Sequence, residues 1–174
     1  MLLCVVKETG VVKADTKELE LRYKIIKLAL LQYHKAYEHG KHGPDTFDCA
    51  GFVWFIYNQI LNIDLYEKGF GLSTTTQMMT SHHGTLVLFD EHLLTKDFTL
   101  IKTGDIVFFH RQSKKEIIPK DNNKYPGHCG IYLGNNEFIH CSKPKRKVII
   151  SNFNKNEYWK NVLVASKNIF ENRN

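Results

Sequence analysis

At residues 47–54 the chain reads Phe47-Asp48-Cys49-Ala50-Gly51-Phe52-Val53-Trp54, with a single cysteine at the head of an apolar run. Asp48 is a favourable N-cap residue, and the apolar run from Phe52 to Leu61 predicts a buried helix of about three turns that ends near Asn62. The Cys49 thiol then lies in the first turn, where free backbone N–H groups and the positive end of the helix dipole favour the thiolate. The stretch therefore predicts a cysteine nucleophile.

Two strand-like runs in the C-terminal half offer the base that such a nucleophile needs. They are His128 to Leu133 and Glu137 to Ser142, and the residues between them, Gly134-Asn135-Asn136, are a turn signal. A three-residue loop pairs Leu133 with Glu137 and therefore puts His128 and His140 on one face of the hairpin. A two-residue loop would put the histidines on opposite faces, so their catalytic pairing requires the odd loop.

The same register places Cys129 and Cys141 directly opposite each other, on the face away from the histidines. We expect both to be free core residues, because a cross-strand disulfide requires strict geometry. A metal site built from both histidines and both cysteines is the competing interpretation, but pairs on opposite faces cannot converge on one tetrahedral ion. The neighbours His82 and His83 lack further ligands at a recognisable spacing, so we expect neither a metal nor any other cofactor.

Four motifs follow one another along the chain: Asp48-Cys49-Ala50-Gly51-Phe52-Val53, Thr103-Gly104-Asp105-Ile106-Val107-Phe108-Phe109, His128-Cys129-Gly130-Ile131-Tyr132-Leu133-Gly134 and Phe138-Ile139-His140. In this order they resemble the motifs of the NlpC/P60 cysteine peptidases, papain-like enzymes that cleave stem peptides of the bacterial cell wall. The resemblance runs from about Tyr37 to Ile169. It implies Cys49 as the nucleophile, His128 as the base and His140 as the polar residue that orients the base.

The resemblance also implies residues that recognise the substrate. Tyr37 matches a family tyrosine that helps to bind substrate and to stabilise the oxyanion. Asp48, besides capping the helix, resembles the residue that meets the free amine of a stem peptide. Two positions depart from the family pattern, since Ala50 stands where a serine usually follows the nucleophile and Lys41 replaces the second glycine after the tyrosine. Both departures bear on the substrate rather than on the reaction.

An α+β fold is expected, because helical patterns precede strand patterns along the chain. The resemblance implies the papain-like NlpC/P60 form, with N-terminal helices packed on a central antiparallel sheet of about five strands. One amphipathic helix is predicted over 16–39, with Tyr37 in its last turn or just past its end, and a short one over 74–81. The apolar stripe of the first helix is predicted to be Leu19, Ile26, Leu30, Tyr33 and Tyr37.

Besides the hairpin, strands are predicted at 106–109, 148–151 and 162–166. Residues 111–125 are charged and contain Pro119, which indicates an exposed loop or flap. At 174 residues the chain is expected to form a single NlpC/P60-like catalytic domain over 1–174, with an N-terminal arm over 1–14 and the motif-bearing core over 37–170.

The composition, 43% hydrophobic and 24% charged, is typical of a soluble globular protein. No apolar run approaches the roughly 18 residues of a membrane helix, and Met1 to Val6 lacks a preceding basic segment, so neither a membrane span nor a signal peptide is predicted. The net charge of +6 favours anionic partners. Because the lysines are scattered apart from Lys143 to Lys147, we expect no nucleic-acid partner.

The expected function is therefore hydrolysis of an amide bond in peptidoglycan stem peptides, between D-glutamate and the diamino acid, by Cys-His-His catalysis. The expected partner is the stem peptide or a related amide, and the expected place of action is the bacterial cell wall or its fragments. An amidase or transferase acting on a different amide is one alternative. A catalytically inactive binding module of the same fold is another, supported by the changed residues Ala50 and Lys41.

Overall fold

The structure, a computed structural model, describes residues 11–66, 74–88, 98–110 and 126–171. Within these ranges the helices are α1 (Val11–Leu31), α2 (Cys49–Leu61), α3 (Thr74–Thr80) and α4 (Glu157–Val162), with a 3-10 turn at Phe98–Leu100. The strands are β1 (Ala36–Tyr37), β2 (Thr46–Phe47), β3 (Thr85–Leu88), β4 (Ile106–Phe109), β5 (His128–Gly134), β6 (Glu137–Ser142), β7 (Lys147–Asn152) and β8 (Leu163–Asn168).

The strands form one sheet in the order β2-β1-β7-β6-β5-β4-β8-β3. The five predicted strands are confirmed as β4 to β8, and the α+β class is confirmed with them. The sheet has more strands than the five or so predicted, because β1, β2 and β3 extend it, and the β1–β2 pair at its edge is parallel rather than antiparallel. Since β1 and β2 contain two residues each, they are too short for a period-2 pattern to reveal them.

Helix α2 begins at Cys49, as predicted, because Asp48 caps it from an extended backbone conformation. The Gly51 N–H donates to Asp48 Oδ1 at 2.7 Å, which satisfies one of the free donors of the first turn. The helix ends at Leu61, and Asn62 takes the left-handed conformation just after it. The predicted short helix is also confirmed, since α3 covers Thr74–Thr80.

Helix α1 differs from its prediction at both ends and in its buried face. It begins at Val11, so the predicted arm over 1–14 is too long by at least four residues, and residues 1–10 lie outside the described ranges. It ends at Leu31, well before the predicted end at residue 39. The chain leaves the helix because His34, at φ 70°, donates its N–H to the Val148 carbonyl and so joins the sheet. Tyr37 therefore lies on β1 and not in a helical turn.

The predicted apolar stripe of α1 faces largely outward. Leu19, Leu30 and Tyr33 are 60%, 43% and 46% exposed. The buried face is instead formed by Arg22, Ile25, Ala29 and Gln32. Tertiary contacts override the stripe because Arg22 donates from Nη1 to Asp105 Oδ1 and from Nη2 to Asn168 Oδ1, each at 2.8 Å. This ion pair and hydrogen bond hold α1 at the edge of β4 and β8 and bury the adjacent face.

The β5–β6 hairpin has the predicted register but a different loop. Ile131 pairs with Ile139 and Tyr132 with Phe138, which is the pairing that places both histidines on one face. The turn itself contains only Asn135 and Asn136, both with positive φ. A bulge between Tyr132 and Gly134 supplies the odd residue, so the histidines keep a common face despite the two-residue turn.

Two apolar clusters cover the two faces of the sheet. The larger one joins α1 and α2 to the sheet and includes Phe52, Ile131 and Ile139. The second lies on the other face and includes Phe138 and Phe153, with Trp159 of α4 packed against it. In the part of the chain that the structure describes, no helix combines the length and hydropathy needed to cross a bilayer. The predicted flap over 111–125 lies outside the described residues.

Candidate active site

A cavity of about 500 Å³ opens where the start of α2 meets the first residues of β5. Its lining comes from elements that are far apart in sequence, since β1, α2, β5, β6, β7 and α4 all contribute. The structure thus brings Cys49, His128, His140 and Tyr37 to one place, as the sequence predicted. Ser151 and Trp159, which the sequence analysis did not assign to the site, line the same cavity.

The Cys49 thiol lies in the first turn of α2 between two side chains of β5. A hydrogen bond from the Cys129 thiol holds the pKa of Cys49 well below its ordinary value, and burial opposes this effect. A hydrogen bond and the positive charge of His128 lower the pKa of Cys49 further. The neighbouring Cys129 thiol, also 3.4 Å from the Cys49 carbonyl oxygen, has its pKa raised well above the ordinary value by burial. Cys49 is therefore the thiol that ionises first.

The rings of His128 and His140 are hydrogen-bonded to each other on the face of the β5–β6 hairpin that lies opposite Cys129 and Cys141. His128 Nε2 and His140 Nδ1 are 2.8 Å apart, and His140 Nε2 is 2.9 Å from the Ser151 hydroxyl oxygen. Because the hydrogen bond to His140 occupies Nε2 of His128, Nδ1 is the nitrogen left to face the Cys49 sulfur. The arrangement is a line of four groups that runs from Cys49 through His128 and His140 to Ser151.

The His140 ring is only 1% exposed and is packed among aromatic rings. Trp159 and Phe138 each have their ring centroids 5.0 Å from that of His140. This burial, together with the positive charge on His128, holds the pKa of His140 well below its ordinary value. His140 is therefore neutral at neutral pH, and a neutral imidazole can accept a hydrogen bond from His128 Nε2–H.

The other predicted site residues lie in different positions. Tyr37 is half-buried on β1 and lines the cavity. Asp48 has both carboxylate oxygens occupied, since Oδ1 accepts from the Gly51 N–H and Oδ2 accepts from the Gly40 N–H at 2.9 Å. Ala50 lies in the first turn of α2 and is buried in the core. The structure therefore gives Asp48 a capping role, and its contact with a substrate amine stays a prediction.

Three features of the site were missed in the sequence analysis. Ser151 belongs to a predicted strand, and its even spacing from Ile149 on β7 could have placed it on the histidine face. Trp159 lies on α4, a helix of six residues for which no strand or helix pattern was recognised. Cys129 was expected to be a free core residue and is one, but its contact with Cys49 depends on how α2 packs on β5.

Neither of the candidate metal arrangements is assembled in the described residues. Cys129 and Cys141 pack against the start of α2, with Cys141 Sγ 3.2 Å from the Phe47 carbonyl oxygen, whereas the two histidines face Trp159. His82 and His83 stack on each other in a bend after α3. Within the ranges that are described, no three His, Cys, Asp or Glu side chains converge in a way that could hold a metal ion.

A model of the NlpC/P60 family matches residues 34–168. The probable peptidoglycan endopeptidase LytE of Bacillus subtilis (strain 168) is 29% identical over 131 residues, which cover 75% of this chain and 29% of LytE. The peptidoglycan DL-endopeptidase CwlO of Bacillus licheniformis is 33% identical over 114 residues, which cover 66% of this chain and 19% of CwlO. The chain thus spans less than a third of either relative.

Among solved structures, NlpC2 from Trichomonas vaginalis superimposes with a TM-score of 0.60 at 28% sequence identity. The match covers 86% of this chain and 47% of the Trichomonas chain. The residues that line the cavity, from Tyr37 to Trp159, all lie within residues 34–168, which the family model matches.

Proposed function

Because the chain belongs to the NlpC/P60 family, we propose that it is a cysteine peptidase that hydrolyses an amide bond in peptidoglycan stem peptides. The bond between D-glutamate and the diamino acid is the proposed cleavage site. The name of CwlO, a peptidoglycan DL-endopeptidase, supports this choice of substrate. Residues 1–174 are proposed to act as a single catalytic domain, with the motif-bearing core over 37–170.

In the proposed reaction the Cys49 thiolate attacks the carbonyl carbon of the scissile amide, and the electron pair of the C=O bond moves to the oxygen. Collapse of this tetrahedral intermediate breaks the C–N bond, and His128 gives a proton to the leaving amine. A thioester to Cys49 remains. His128 then takes a proton from water, and the water oxygen attacks the thioester carbonyl. The C–S bond breaks, which releases the carboxylate product and the Cys49 thiolate. Nothing other than water is consumed.

The oxyanion of each intermediate needs hydrogen-bond donors that are already in position. The backbone N–H of Cys49 lies in the free first turn of α2 and is one proposed donor. The hydroxyl of Tyr37, which lines the same cavity from β1, is the other. His140 is proposed to hold the ring of His128 through the 2.8 Å hydrogen bond.

The observation that carries the proposal is the geometry around His128. One of its ring nitrogens is 2.8 Å from a ring nitrogen of the buried, neutral His140, and the ring lines the same cavity as Cys49 and lowers the pKa of the Cys49 thiol. A base held between a nucleophile and an orienting group is the arrangement that acyl transfer to a cysteine requires. The same geometry would serve an amidase or a transferase, so the nature of the substrate must be tested directly.

The charge of the cavity supports an anionic substrate. Lys143 and Lys145, in the turn between β6 and β7, line it together with Pro144. Among the described residues that line the cavity there is no aspartate or glutamate to offset these two lysines. A stem peptide carries several carboxylates, and positive side chains at the rim raise the local concentration of such a ligand.

The test is mass spectrometry of defined stem peptides after incubation with the protein, with the Cys49→Ala variant treated in parallel. We expect cleavage between D-glutamate and the diamino acid by the wild type and none by the variant. Cleavage of another bond, also lost in the variant, would contradict the proposed bond and keep the cysteine mechanism. Binding of the peptides without any cleavage, measured by calorimetry, would overturn the peptidase and favour the binding module.

A further inference from the structure

Ser151 stands at the end of the line of polar groups that begins at Cys49. Its hydroxyl oxygen is 2.9 Å from Nε2 of His140, whose other nitrogen is 2.8 Å from His128 Nε2. Ser151 lies on β7 opposite Phe138, on the strand face that also carries His140 in β6. Both ring nitrogens of His140, which is 1% exposed, therefore have a hydrogen-bond partner. His128 is the partner of Nδ1, and Ser151 is the partner of Nε2.

We propose that Ser151 is a positioning residue, which fixes the tautomer of His140 and thereby lets His128 carry a positive charge. The argument rests on the proposed function of Cys49 and His128. When His128 holds a proton on both nitrogens, its Nε2–H must donate to His140 Nδ1. Only the His140 tautomer with its proton on Nε2 leaves Nδ1 free to accept. The Nε2–H group then needs a hydrogen-bond acceptor of its own, and the Ser151 oxygen is in place to accept that hydrogen bond.

The opposite tautomer of His140 would block the reaction. A proton on Nδ1 of His140 would point at His128 Nε2, and His128 could then be protonated only on the nitrogen that faces Cys49. In that state His128 cannot take the thiol proton. Because the two rings are hydrogen-bonded, the tautomer of the buried His140 decides whether the half-buried His128 can accept a second proton.

A serine suits this position better than a carboxylate would. A carboxylate beside His140 would favour the protonated, charged form of its ring. A charged His140 could not accept a hydrogen bond, and it would repel the positive charge that His128 must carry. The serine hydroxyl can accept a hydrogen bond from Nε2–H without bringing a charge into the aromatic cluster around Trp159 and Phe138.

The chain offers a matched pair of variants for the test. Ser151→Thr keeps the hydroxyl and Ser151→Val replaces it with a methyl group, and both side chains are β-branched and suited to a strand. The first readout is the tautomer of His140 from ¹⁵N chemical shifts of the imidazole rings. The second is the rate at which iodoacetamide alkylates Cys49 as a function of pH, followed by peptide mass spectrometry. Neither readout needs a substrate.

We expect a neutral His140 with its proton on Nε2 in the wild type and in Ser151→Thr. In Ser151→Val the other tautomer should become populated, and alkylation of Cys49 below neutral pH should slow by about tenfold, since one buried hydrogen bond is lost. Cleavage of the stem peptide should fall in kcat by a similar factor, with KM unchanged. The Ser151→Ala variant makes the same comparison if valine disturbs the fold.

Equal tautomers and equal pH profiles in Ser151→Thr and Ser151→Val would overturn the proposal, and so would a wild-type His140 that carries its proton on Nδ1. A wild type that shows the expected tautomer and alkylation profile but cleaves no stem peptide would leave the role of Ser151 standing. That result would refute the proposed substrate instead. The two failures are therefore distinguishable.

Discussion

On one face of the β5–β6 hairpin, His128 and His140 share a 2.8 Å hydrogen bond beside an open cavity. On the other face, Cys129 and Cys141 are buried and hydrogen-bond to carbonyl oxygens at the start of α2. Four residues that could all bind a metal are thus divided into two pairs with different surroundings. Strand alternation, and not residue type, therefore assigns each of these side chains its role.

The division of these side chains between two faces of the hairpin also explains why both faces influence the Cys49 thiol. His128 approaches it from the histidine face and Cys129 from the cysteine face, and both lower the pKa of its thiol. The histidine face contributes charge and proton transfer, whereas the cysteine face contributes a neutral donor and packing. The two faces should therefore respond differently to substitution.

The largest effect is expected at His140. Replacement by leucine leaves His128 Nε2 without its acceptor and removes the group that orients the ring. We expect kcat to fall by about a hundredfold or more, because general base catalysis contributes about 10²–10⁴ to the rate. The measurement is kcat and KM on the stem peptide, with thermal unfolding as the control for folding. A fall of less than threefold would show that the histidine face does not orient the base.

An intermediate effect is expected at Trp159, which shields the histidine pair from water. Its ring centroid lies 5.0 Å from that of His140, and burial is the largest cause of the low pKa of His140. In Trp159→Leu the pKa of His140 should rise toward its ordinary value. Because protonated His140 cannot accept a hydrogen bond, activity should be lost at a higher pH on the acidic side than in the wild type.

The pH dependence of kcat/KM measures this shift, and we expect a loss of at most about fourfold at pH 6, reached if the pKa of His140 returns fully to its ordinary value. Trp159→Phe keeps an aromatic cover and serves as the matched control. An acidic limb that moves to lower pH in Trp159→Leu, or does not move, would contradict the shielding role.

The smallest effect is expected on the cysteine face. Cys129→Ala removes the thiol that hydrogen-bonds to Cys49, so the pKa of Cys49 should rise and its alkylation below neutral pH should slow by about threefold, since a thiol is a weak donor. Cys141→Ala is the control, because the Cys141 thiol bonds to the carbonyl of Phe47 and not to Cys49. A larger change in the pKa of Cys49 in Cys141→Ala than in Cys129→Ala would contradict the role given to Cys129.

Much of the fold was predictable where local patterns are long and consistent. The cap at Asp48, the helix that follows it and the strands β4 to β8 were all predicted from the sequence, and the structure confirms them. The register of the hairpin was also predicted, although this register is produced by the bulge between Tyr132 and Gly134 and not by a longer turn. The family resemblance was confirmed by the match over residues 34–168.

Other features had no local signal that could reveal them. The early end of α1 depends on a hydrogen bond between His34 and Val148, which are 114 residues apart in the chain. The buried face of α1 depends on Arg22 and its partners Asp105 and Asn168. In both places a long-range polar contact outweighs a modest apolar pattern, since burying an unpaired guanidinium would cost several kcal/mol.

Local sequence patterns were sufficient to predict the cysteine at a helix start, the two histidines on one hairpin face and the α+β order of elements, because these follow from caps and from the period of a strand. Which groups meet depended on the packing of elements that are distant in the chain. This packing brought Ser151 to His140, Cys129 to Cys49 and Trp159 over the histidine pair. The physical reason is that hydrogen bonds and ring contacts act over a few ångströms, and those distances are set by how separate elements pack.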